Sequence, residues 1–307
     1  VPHRYVQHDA HDFAWTADRR YAKPLLRTWN GPLGPVEVRV LYHPEYAMDA
    51  EPVAQATIDS LAYFSRTLGP YPYKTATAVV PPYGATEAGG MEYPTFFTAD
   101  STDQVAPGSL GRFMLDFVTV HEFGHGYFYG ILGSNEFEEP MLDEGMNEYW
   151  DQRMMTSRNQ MLNVGTSWLQ AFGIGYQLRP FDMERISAML TDPADPLGGN
   201  SWSRMSSASY GTVYSRTATA MRQIEMLVGK PALERAMKLY YERWKFRHPS
   251  IADLRDALAE GTGRADIVNT AFNAYVFATG KTDDRIASMS SREVLPLPGY
   301  HQQDGKQ

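Results

Sequence analysis

Apolar and polar positions divide the chain into a strand-rich first part and a helical second part. Residues 36–42 open with valines that alternate with charged residues, which is the two-residue period of a half-buried strand. In residues 51–68 the apolar positions recur at helical spacing, and Gly69-Pro70 supplies a stop signal. Residues 75–80 then predict a second strand, which a pair of prolines closes.

The segment 83–98 combines several glycines with the run Tyr-Pro-Thr-Phe-Phe at 93–97. This pattern predicts a turn followed by an edge strand, because proline is tolerated in a strand that lacks a neighbour on one side. Such an edge can pair with an extended peptide. Later residues follow a helical pattern almost to the end of the chain, with breaks near 193–199, 229–231 and 248–250. We therefore expect an α+β fold with a small mixed sheet lobe and a largely helical lobe.

Composition narrows the classes of partner and ligand. The 307 residues carry a net charge of -8, which argues against a nucleic-acid partner because phosphate binding rests on clustered Lys and Arg. The chain has no cysteine, so its strong metal ligands are limited to His, Asp and Glu. No apolar run approaches the roughly 20 residues that span a bilayer. The compartment is not fixed by these features, and a periplasmic or extracellular location is favoured slightly over a cytoplasmic one.

A pair of histidines four residues apart is the first candidate for a metal site. The segment His121-Glu122-Phe-Gly-His125 follows an apolar-rich run over 113–120. Residues four apart share one face of an α-helix, so both imidazoles can bind one ion while Glu122 lies about 100° around the axis. This arrangement provides two metal ligands and a base. The alternative is that two histidines share this spacing by chance on a core helix.

Glu144 is the candidate for a third ligand. A catalytic zinc takes three protein ligands and leaves one position for water, so a further ligand is required. A turn follows the histidine helix, and a second helix can begin near Pro140. Antiparallel packing of the two helices would bring Glu144 to the histidines. The alternative is that Glu144 and its acidic neighbours, Asp143 among them, only stabilise the start of a helix.

These residues resemble the pattern of the aminopeptidase N family of zinc peptidases, a family of gluzincins. The family pattern has His-Glu-x-x-His, eighteen further residues and then Glu, which corresponds here to His121, Glu122, His125 and Glu144. The family's third ligand lies in Leu-Asn-Glu-Gly, whereas this chain has Asp143 in place of the asparagine. The resemblance covers most of residues 11–285 and implies a thermolysin-like catalytic domain that binds one zinc ion and hydrolyses peptide bonds.

The resemblance also implies a domain organisation. Residues 1–44 would form a β-rich lead-in, the end of an N-terminal β domain that the chain mostly lacks. Residues 45–290 would form the catalytic domain, and residues 291–307 a C-terminal tail. The chain begins with Val-Pro-His instead of Met, which indicates that it is part of a longer protein.

The resemblance further suggests which residues act beside the zinc ligands. Glu122 would take a proton from the zinc-activated water and pass it to the leaving amine. Tyr214 begins a segment similar to the family's Tyr-Glu-Lys-Gly helix and would stabilise the negative oxygen that forms during attack. Tyr210, one helical turn earlier, is a rival for this role, and a core tyrosine is the other alternative. Glu148 and Asp151 either orient the ligands or are solvated helix positions.

A third block, Gly89-Gly90-Met91-Glu92-Tyr93, resembles the family's Gly-x-Met-Glu-Asn exopeptidase motif, with Tyr93 in place of asparagine. The free α-ammonium of a peptide needs a fixed anion in such a site, and Glu92 would supply it. Gly89, Gly90 and Met91 would belong to the same substrate-binding segment. The alternative is that Glu92 is a loop carboxylate in solvent.

The expected function is therefore the removal of N-terminal amino acids from peptides that have a free amino terminus. A zinc endopeptidase that acts on internal bonds would use the same metal chemistry and is the nearest alternative. A hypothesis from another class is a peptide-binding scaffold that keeps the fold without turnover. The full ligand set and Glu122 argue against the scaffold.

Overall fold

The main sheet is built from the first part of the chain. The computed structural model describes residues 4–82, 84, 85, 88–165, 168, 172, 175–190, 195–280, 288 and 290. The sheet contains β1 (Leu25–Gly31), β2 (Gly34–Leu41), β3 (Thr75–Val79), β4 (Met91–Tyr93) and β5 (Phe96–Thr98). Their order is β1-β2-β3-β5-β4, in which β2, β3 and β5 are parallel while β1 and β4 are antiparallel to their neighbours. A second sheet pairs β6 (Leu162–Val164) with β7 (Tyr176–Leu178).

Two strands and one helix lie where the sequence pattern predicts them. The predicted strands over 36–42 and 75–80 match β2 and β3, and the predicted helix over 51–68 matches α1 (Ala47–Thr67). In β2 the valines at 36, 38 and 40 are buried, while the residues between them are exposed or partly exposed. The alternation therefore reflects one face of the strand packed on the core.

The aromatic run at 93–97 does not form one strand, and that prediction is wrong. Tyr93 ends β4, Phe96 begins β5, and the chain reverses between them at Pro94 and Thr95. Thr95 has a φ of 60°, which is left-handed backbone, and Pro94 lacks the N–H that a continuous strand would use. The run therefore folds as a hairpin in which β4 is the edge strand and β5 lies inside the sheet.

Helices make up most of the later part of the chain. They are α2 (Leu110–His125), α3 (Met146–Ser157), α4 (Pro180–Leu190), α5 (Ser207–Tyr210), α6 (Val213–Val228), α7 (Lys230–Trp244), α8 (Ile251–Thr262) and α9 (Ala265–Ala271). π-Helical turns at Gly126–Ile131 and Met141–Gly145 follow α2 and precede α3, and another at Phe272–Val276 follows α9. The predicted α+β class, with a small sheet and a mostly helical second part, is confirmed.

Aromatic packing joins α1 to the C-terminal end of α2. The ring centroid of Phe64 lies 5.8 Å from that of Phe123, 5.2 Å from that of Tyr127 and 6.4 Å from that of Phe128. All four side chains are buried. Because interiors are densely packed, these contacts fix the end of α2, where the two histidines lie, against the core.

The domain boundaries stay predictions. β2 pairs with β3, so residues on both sides of the boundary predicted at 44 share one sheet. The predicted tail over 291–307 lies outside the described residues. Within the part of the chain that the structure describes, no helix has the length and apolar character needed to cross a membrane.

Candidate metal centre

Two histidines and a glutamate bring three ligand atoms to one point. His121 and His125 lie one turn apart at the C-terminal end of α2, and Glu144 lies in the π-helical turn before α3. The Nε2 atoms of the two histidines are 3.1 Å apart. Oε2 of Glu144 lies 3.2 Å from Nε2 of His121 and 3.3 Å from Nε2 of His125. The three predicted ligands therefore form a nearly equilateral triangle.

The other ring nitrogen of each histidine faces a buried carboxylate. His121 Nδ1 lies 2.7 Å from Asp151 Oδ2, and His125 Nδ1 lies 2.5 Å from Asp143 Oδ1. When each Nδ1 donates its proton to the carboxylate, the lone pair of each Nε2 is free. Two such lone pairs and a carboxylate oxygen repel one another at these short separations unless a cation lies among them.

The charges around the triangle favour a bound cation. Burial alone would lower the pKa of both histidines, but their carboxylate partners raise it well above the usual range. Among these partners Asp151 has the largest effect on His121, and Asp143 has the largest effect on His125. Burial pushes the pKa of Glu144 upwards, but the two histidines hold it well below its usual range. A cluster that attracts protons this strongly also suits a divalent cation, which displaces protons from its ligands.

The donor set fits zinc. Nitrogen and oxygen ligands at roughly 2.0–2.1 Å in a tetrahedral site lie about 3.3 Å from one another. The separations among His121, His125 and Glu144 are 3.1, 3.2 and 3.3 Å. Three protein ligands also leave one position open for water or substrate, which is the arrangement of catalytic zinc sites.

Two glycines let the helices around the ligands approach closely. A Cβ on Gly124 would lie 2.0 Å from Oδ1 of Asn147, so a larger residue does not fit between the histidines. Asn147 donates from Nδ2 to the carbonyl oxygen of His121 at 2.8 Å and thereby ties α3 to α2. A Cβ on Gly145 would lie 2.3 Å from Oγ1 of Thr217 on α6. The first glycine sets the distance between α2 and α3, and the second sets the distance between the third ligand's turn and α6.

Glu122 is buried beside the three predicted ligands. Glu122 is only 7% exposed. Burial raises the pKa of its carboxyl group to about 7, although the two histidines oppose that rise. Among the residues that the structure describes, Oε2 of Glu122 has no hydrogen-bond partner. A carboxyl group with a pKa near neutrality and an unpaired oxygen is suited to exchanging a proton.

The predicted substrate segment runs past Glu122 to the edge of the sheet. A Cβ on Gly90 would lie 3.4 Å from Oε1 of Glu122, so the backbone passes next to this carboxylate. The N–H of Gly90 donates to the carbonyl oxygen of Thr98 at 3.2 Å, and the N–H of Met91 donates to the Thr98 hydroxyl at 3.0 Å. Gly89 precedes this pairing, and Met91 is 38% exposed. The structure therefore brings this segment to the metal centre.

Glu92 lies on β4, on the side of the metal centre where Asp143 and His125 meet. Ligand atoms of Glu92, His125 and Asp143 all lie within 4.8 Å of one another. Glu92 is half-buried, and burial raises its pKa while His125 lowers it. The predicted amine-binding carboxylate is therefore close to the predicted zinc ligands and is not a loop carboxylate in open solvent.

Tyr214 lies at the start of α6 and contacts the metal centre. Its ring centroid is 5.9 Å from that of His121. Burial raises the pKa of the Tyr214 hydroxyl far above its usual value, and the hydrogen-bonded Glu144 carboxylate adds to the rise. Tyr210, one turn earlier, is 37% exposed and interacts with the Tyr214 hydroxyl. Tyr214 therefore contacts a predicted ligand directly, and Tyr210 contacts Tyr214.

Three acidic residues complete the surroundings of the histidines. The sequence pattern favours a helix-start role for Asp143, but its carboxylate is fully buried against His125. Asp143 precedes Glu144 at the position where the family pattern has asparagine, and this difference is the sequence signal that could have identified Asp143 as a residue of the site. Asp151 and Glu148 are 0% and 4% exposed, and their carboxylates lie 2.7 and 3.4 Å from Nδ1 of His121. All three carboxylates are buried against the histidine rings and are not solvated helix positions, and in such places carboxylates commonly orient metal ligands.

A comparison with known protein families agrees with this fold and with the set of three convergent ligand atoms. The sequence pattern of the peptidase family M1 domain matches residues 53–275. The chain belongs to peptidase family M1, which confirms the resemblance that the zinc motif indicates.

Similar solved structures share the fold at low sequence identity. The M1 zinc metallopeptidase of Deinococcus radiodurans is 17% identical with a TM-score of 0.58, over 81% of this chain and 51% of that one. A point mutant of an M1 zinc metallopeptidase from the same organism gives a TM-score of 0.60 at 17% identity, over 87% of this chain and 54% of that one. Aminopeptidase A of Legionella pneumophila, in complex with aspartic acid, is 13% identical with a TM-score of 0.61, over 84% of this chain and 28% of that one.

The chain spans about half the length of the two Deinococcus chains, at 54% and 51%. No sequence among the curated proteins matches it.

Proposed function

We propose that this chain removes N-terminal amino acids from peptides by zinc-dependent hydrolysis. The observation that supports the proposal most strongly is the triangle formed by His121, His125 and Glu144, with Glu122 beside it. Membership of peptidase family M1 supports peptide hydrolysis as the reaction. The proposal of an aminopeptidase rests on Glu92 and the edge strand that carries it.

The residues have separate roles in this proposal. Bound zinc supplies a Lewis acid that polarises the carbonyl group and lowers the pKa of water. Glu122 takes one proton from the attacking water and transfers it to the nitrogen of the leaving amine. The new C–O bond forms and the C–N bond breaks, so the products are a free amino acid and a peptide shorter by one residue. Tyr214 donates a hydrogen bond to the negatively charged oxygen that forms on the carbonyl carbon.

Recognition of the amino terminus falls to Glu92. Its carboxylate lies near His125 and Asp143, so an ammonium group bound there would place the first peptide bond next to the metal centre. β4 has no strand on its outer side in the described sheet, and its free edge is suited to pairing with the extended substrate. An endopeptidase needs no anion at this position.

Paired substrates test the two alternatives. We expect alanine p-nitroanilide to be hydrolysed and N-acetyl-alanine p-nitroanilide to be resistant, because acetylation removes the charge that Glu92 would bind. Removal of zinc by a chelator should abolish activity, and added zinc should restore it. Efficient cleavage of internal bonds in peptides whose amino termini are blocked would support the endopeptidase. A folded, zinc-loaded chain with no turnover of either substrate class would support the scaffold.

The role of Tyr214 has a matched control in Tyr210. Tyr214→Phe removes only the hydroxyl, and we expect kcat to fall by about 10²–10³-fold, the usual effect of losing one oxyanion donor. Tyr210→Phe should change kcat much less, because that hydroxyl contacts Tyr214 instead of the ligands. Steady-state kinetics on alanine p-nitroanilide measures both. A larger loss in Tyr210→Phe than in Tyr214→Phe would assign the role to the rival residue.

A further inference from the structure

A cavity of about 700 Å³ lies on the side of α6 that faces away from Tyr214. The α6 residues that line it are Arg216, Thr219, Ala220, Gln223 and Met226, together with Arg222. Most of these positions are spaced by three or four residues and so share one helical face. Tyr214 and Arg216 are two residues apart, which places them about 200° apart around the axis. The cavity is therefore separated from the metal centre by α6 itself.

Arg216 lines this cavity, and its guanidinium is buried. The residue is 7% exposed, and neither Nη1 nor Nη2 has a hydrogen-bond partner within the described parts of the chain. Asp195 acts on Arg216 only as a neighbouring charge, and its Oδ2 accepts a hydrogen bond from the N–H of Ser206 at 2.9 Å. Arginine keeps its charge in proteins, and an unpaired buried charge is costly. An anion in the cavity would remove that cost.

The other walls indicate which kind of anion fits. Arg179 and Arg185 add positive charge at exposed positions, whereas Asp182 is the acidic residue among the described lining. Arg222 differs from Arg216 because it already contacts Glu225 at 3.3 Å and lies over the ring of Phe181 at 5.0 Å. The remaining walls are largely apolar, including Phe181, Met189, Leu197, Ala220 and Met226. A ligand with one charged end and an apolar body matches this lining.

We propose that this cavity binds a small carboxylate with an apolar body, with Arg216 as the residue that holds the carboxylate. A guanidinium offers two parallel N–H donors to the two oxygens of a carboxylate, and neither Nη atom of Arg216 is hydrogen-bonded to a described residue. The apolar part of the ligand lies against the side chains of α4 and α6. Such a site is distinct from the substrate site at β4 and does not depend on the zinc ligands.

Isothermal titration calorimetry of the zinc-loaded chain with 4-phenylbutyrate tests the proposal. We expect saturable binding of one molecule per chain in wild type and a Kd at least tenfold weaker in Arg216→Gln, which keeps a polar side chain of similar reach. The neutral probe 4-phenylbutanol should bind at least tenfold more weakly to the wild type. Inorganic phosphate should also bind more weakly, because it lacks the apolar body.

Equal binding of 4-phenylbutyrate to wild type and Arg216→Gln, or no binding to wild type, would overturn the proposal. An affinity for 4-phenylbutanol equal to that for 4-phenylbutyrate would show that the charge of the ligand has no role. Binding of phosphate that is tighter than binding of 4-phenylbutyrate would show that the cavity does not select a carboxylate with an apolar body. If Arg216→Gln does not fold, the double variant Arg179→Gln/Arg185→Gln changes only exposed positions and should weaken 4-phenylbutyrate binding. Unchanged binding by the double variant would then contradict the proposal.

Discussion

The metal centre and the β4 edge strand lie side by side but are built in different ways. The predicted zinc ligands lie on α2 and on the turn before α3, and buried carboxylates contact both imidazoles. Glu92 lies on a three-residue strand that is paired on one side and is itself only half-buried. In the proposed function, metal binding is fixed by packed helices, whereas recognition uses an edge that is free to accept a peptide. Substitutions in the two regions should therefore separate chemistry from recognition.

The largest effect is expected in the helical region, at the base. Glu122→Gln keeps the shape of the side chain but cannot accept a proton, so kcat should fall by about 10²–10⁴-fold. Zinc content and melting temperature should stay close to wild type, because Glu122 is not one of the three predicted ligands. Steady-state kinetics and elemental analysis measure these quantities. Undiminished turnover in Glu122→Gln would remove this residue from the mechanism.

At the edge strand, Glu92→Gln should impair recognition more than chemistry. Loss of a charge-assisted hydrogen bond to the substrate ammonium corresponds to about 1.5–3 kcal/mol, or roughly 10–100-fold in kcat/KM. The lower kcat/KM should come mainly from a higher KM, and the zinc content should be unchanged. A variant that loses zinc and kcat together would instead place Glu92 in the metal centre, and the contrast between the two regions would fail.

The carboxylates behind the histidines should affect metal affinity and not recognition. Asp151→Asn weakens the acceptor for Nδ1 of His121, and we expect zinc affinity to fall by about 10–100-fold. Asp116→Asn is a matched control, because Asp116 is a buried acid of α2 that pairs with Arg112 and Gln160. Competition with a zinc-binding dye measures both affinities. A comparable loss in Asp116→Asn would indicate general damage to α2.

The smallest effect concerns Glu184, a buried carboxyl group on α4 that receives a hydrogen bond from Gln152 at 3.1 Å. Burial raises the pKa of Glu184 to about 10 from 4.5, and Glu148 adds to the rise. The folded state therefore binds more protons than the unfolded state between these pH values, and stability due to this group falls as pH rises. Glu184→Gln mimics the protonated form, so near pH 4, where the carboxyl group is largely protonated in both the folded and the unfolded state, its free energy of unfolding should differ from wild type by less than about 1 kcal/mol.

The same substitution should become relatively stabilising as the pH is raised from 4 towards 10. Urea unfolding at several pH values measures the difference between variant and wild type. A difference that is constant with pH, or that turns against the variant at high pH, would contradict a raised pKa for Glu184.

The sequence predicts the parts of the site that depend on local spacing. His121 and His125 share a helical face because they are four residues apart, and the family pattern supplies Glu144 and Tyr214. The alternating valines of β2 and the helical spacing of α1 are equally local signals. Each of these depends on periodicity within one element, which the chain displays directly.

Contacts between distant elements could not be predicted in the same way. The pairing of Asp143 with His125 depends on how the π-helical turn packs against α2. From the sequence alone, an acidic residue at this position is equally consistent with a residue that stabilises the start of a helix. The hairpin at Pro94 and Thr95 depends on a single left-handed residue within an aromatic run whose composition favours a strand. The cavity at Arg216 is lined by α4, α6 and residues near 275–280, which no local pattern brings together.

Zinc binding by wild type and Glu144→Ala decides whether His121, His125 and Glu144 form a metal site. The measurement is a zinc titration of chelator-treated protein by calorimetry, with elemental analysis of the dialysed product. We expect one zinc ion per wild-type chain and an affinity at least 100-fold weaker in Glu144→Ala, which removes one of the three ligands. A folded wild-type chain that binds no zinc, or an unchanged affinity in Glu144→Ala, would show that these residues do not form the metal site.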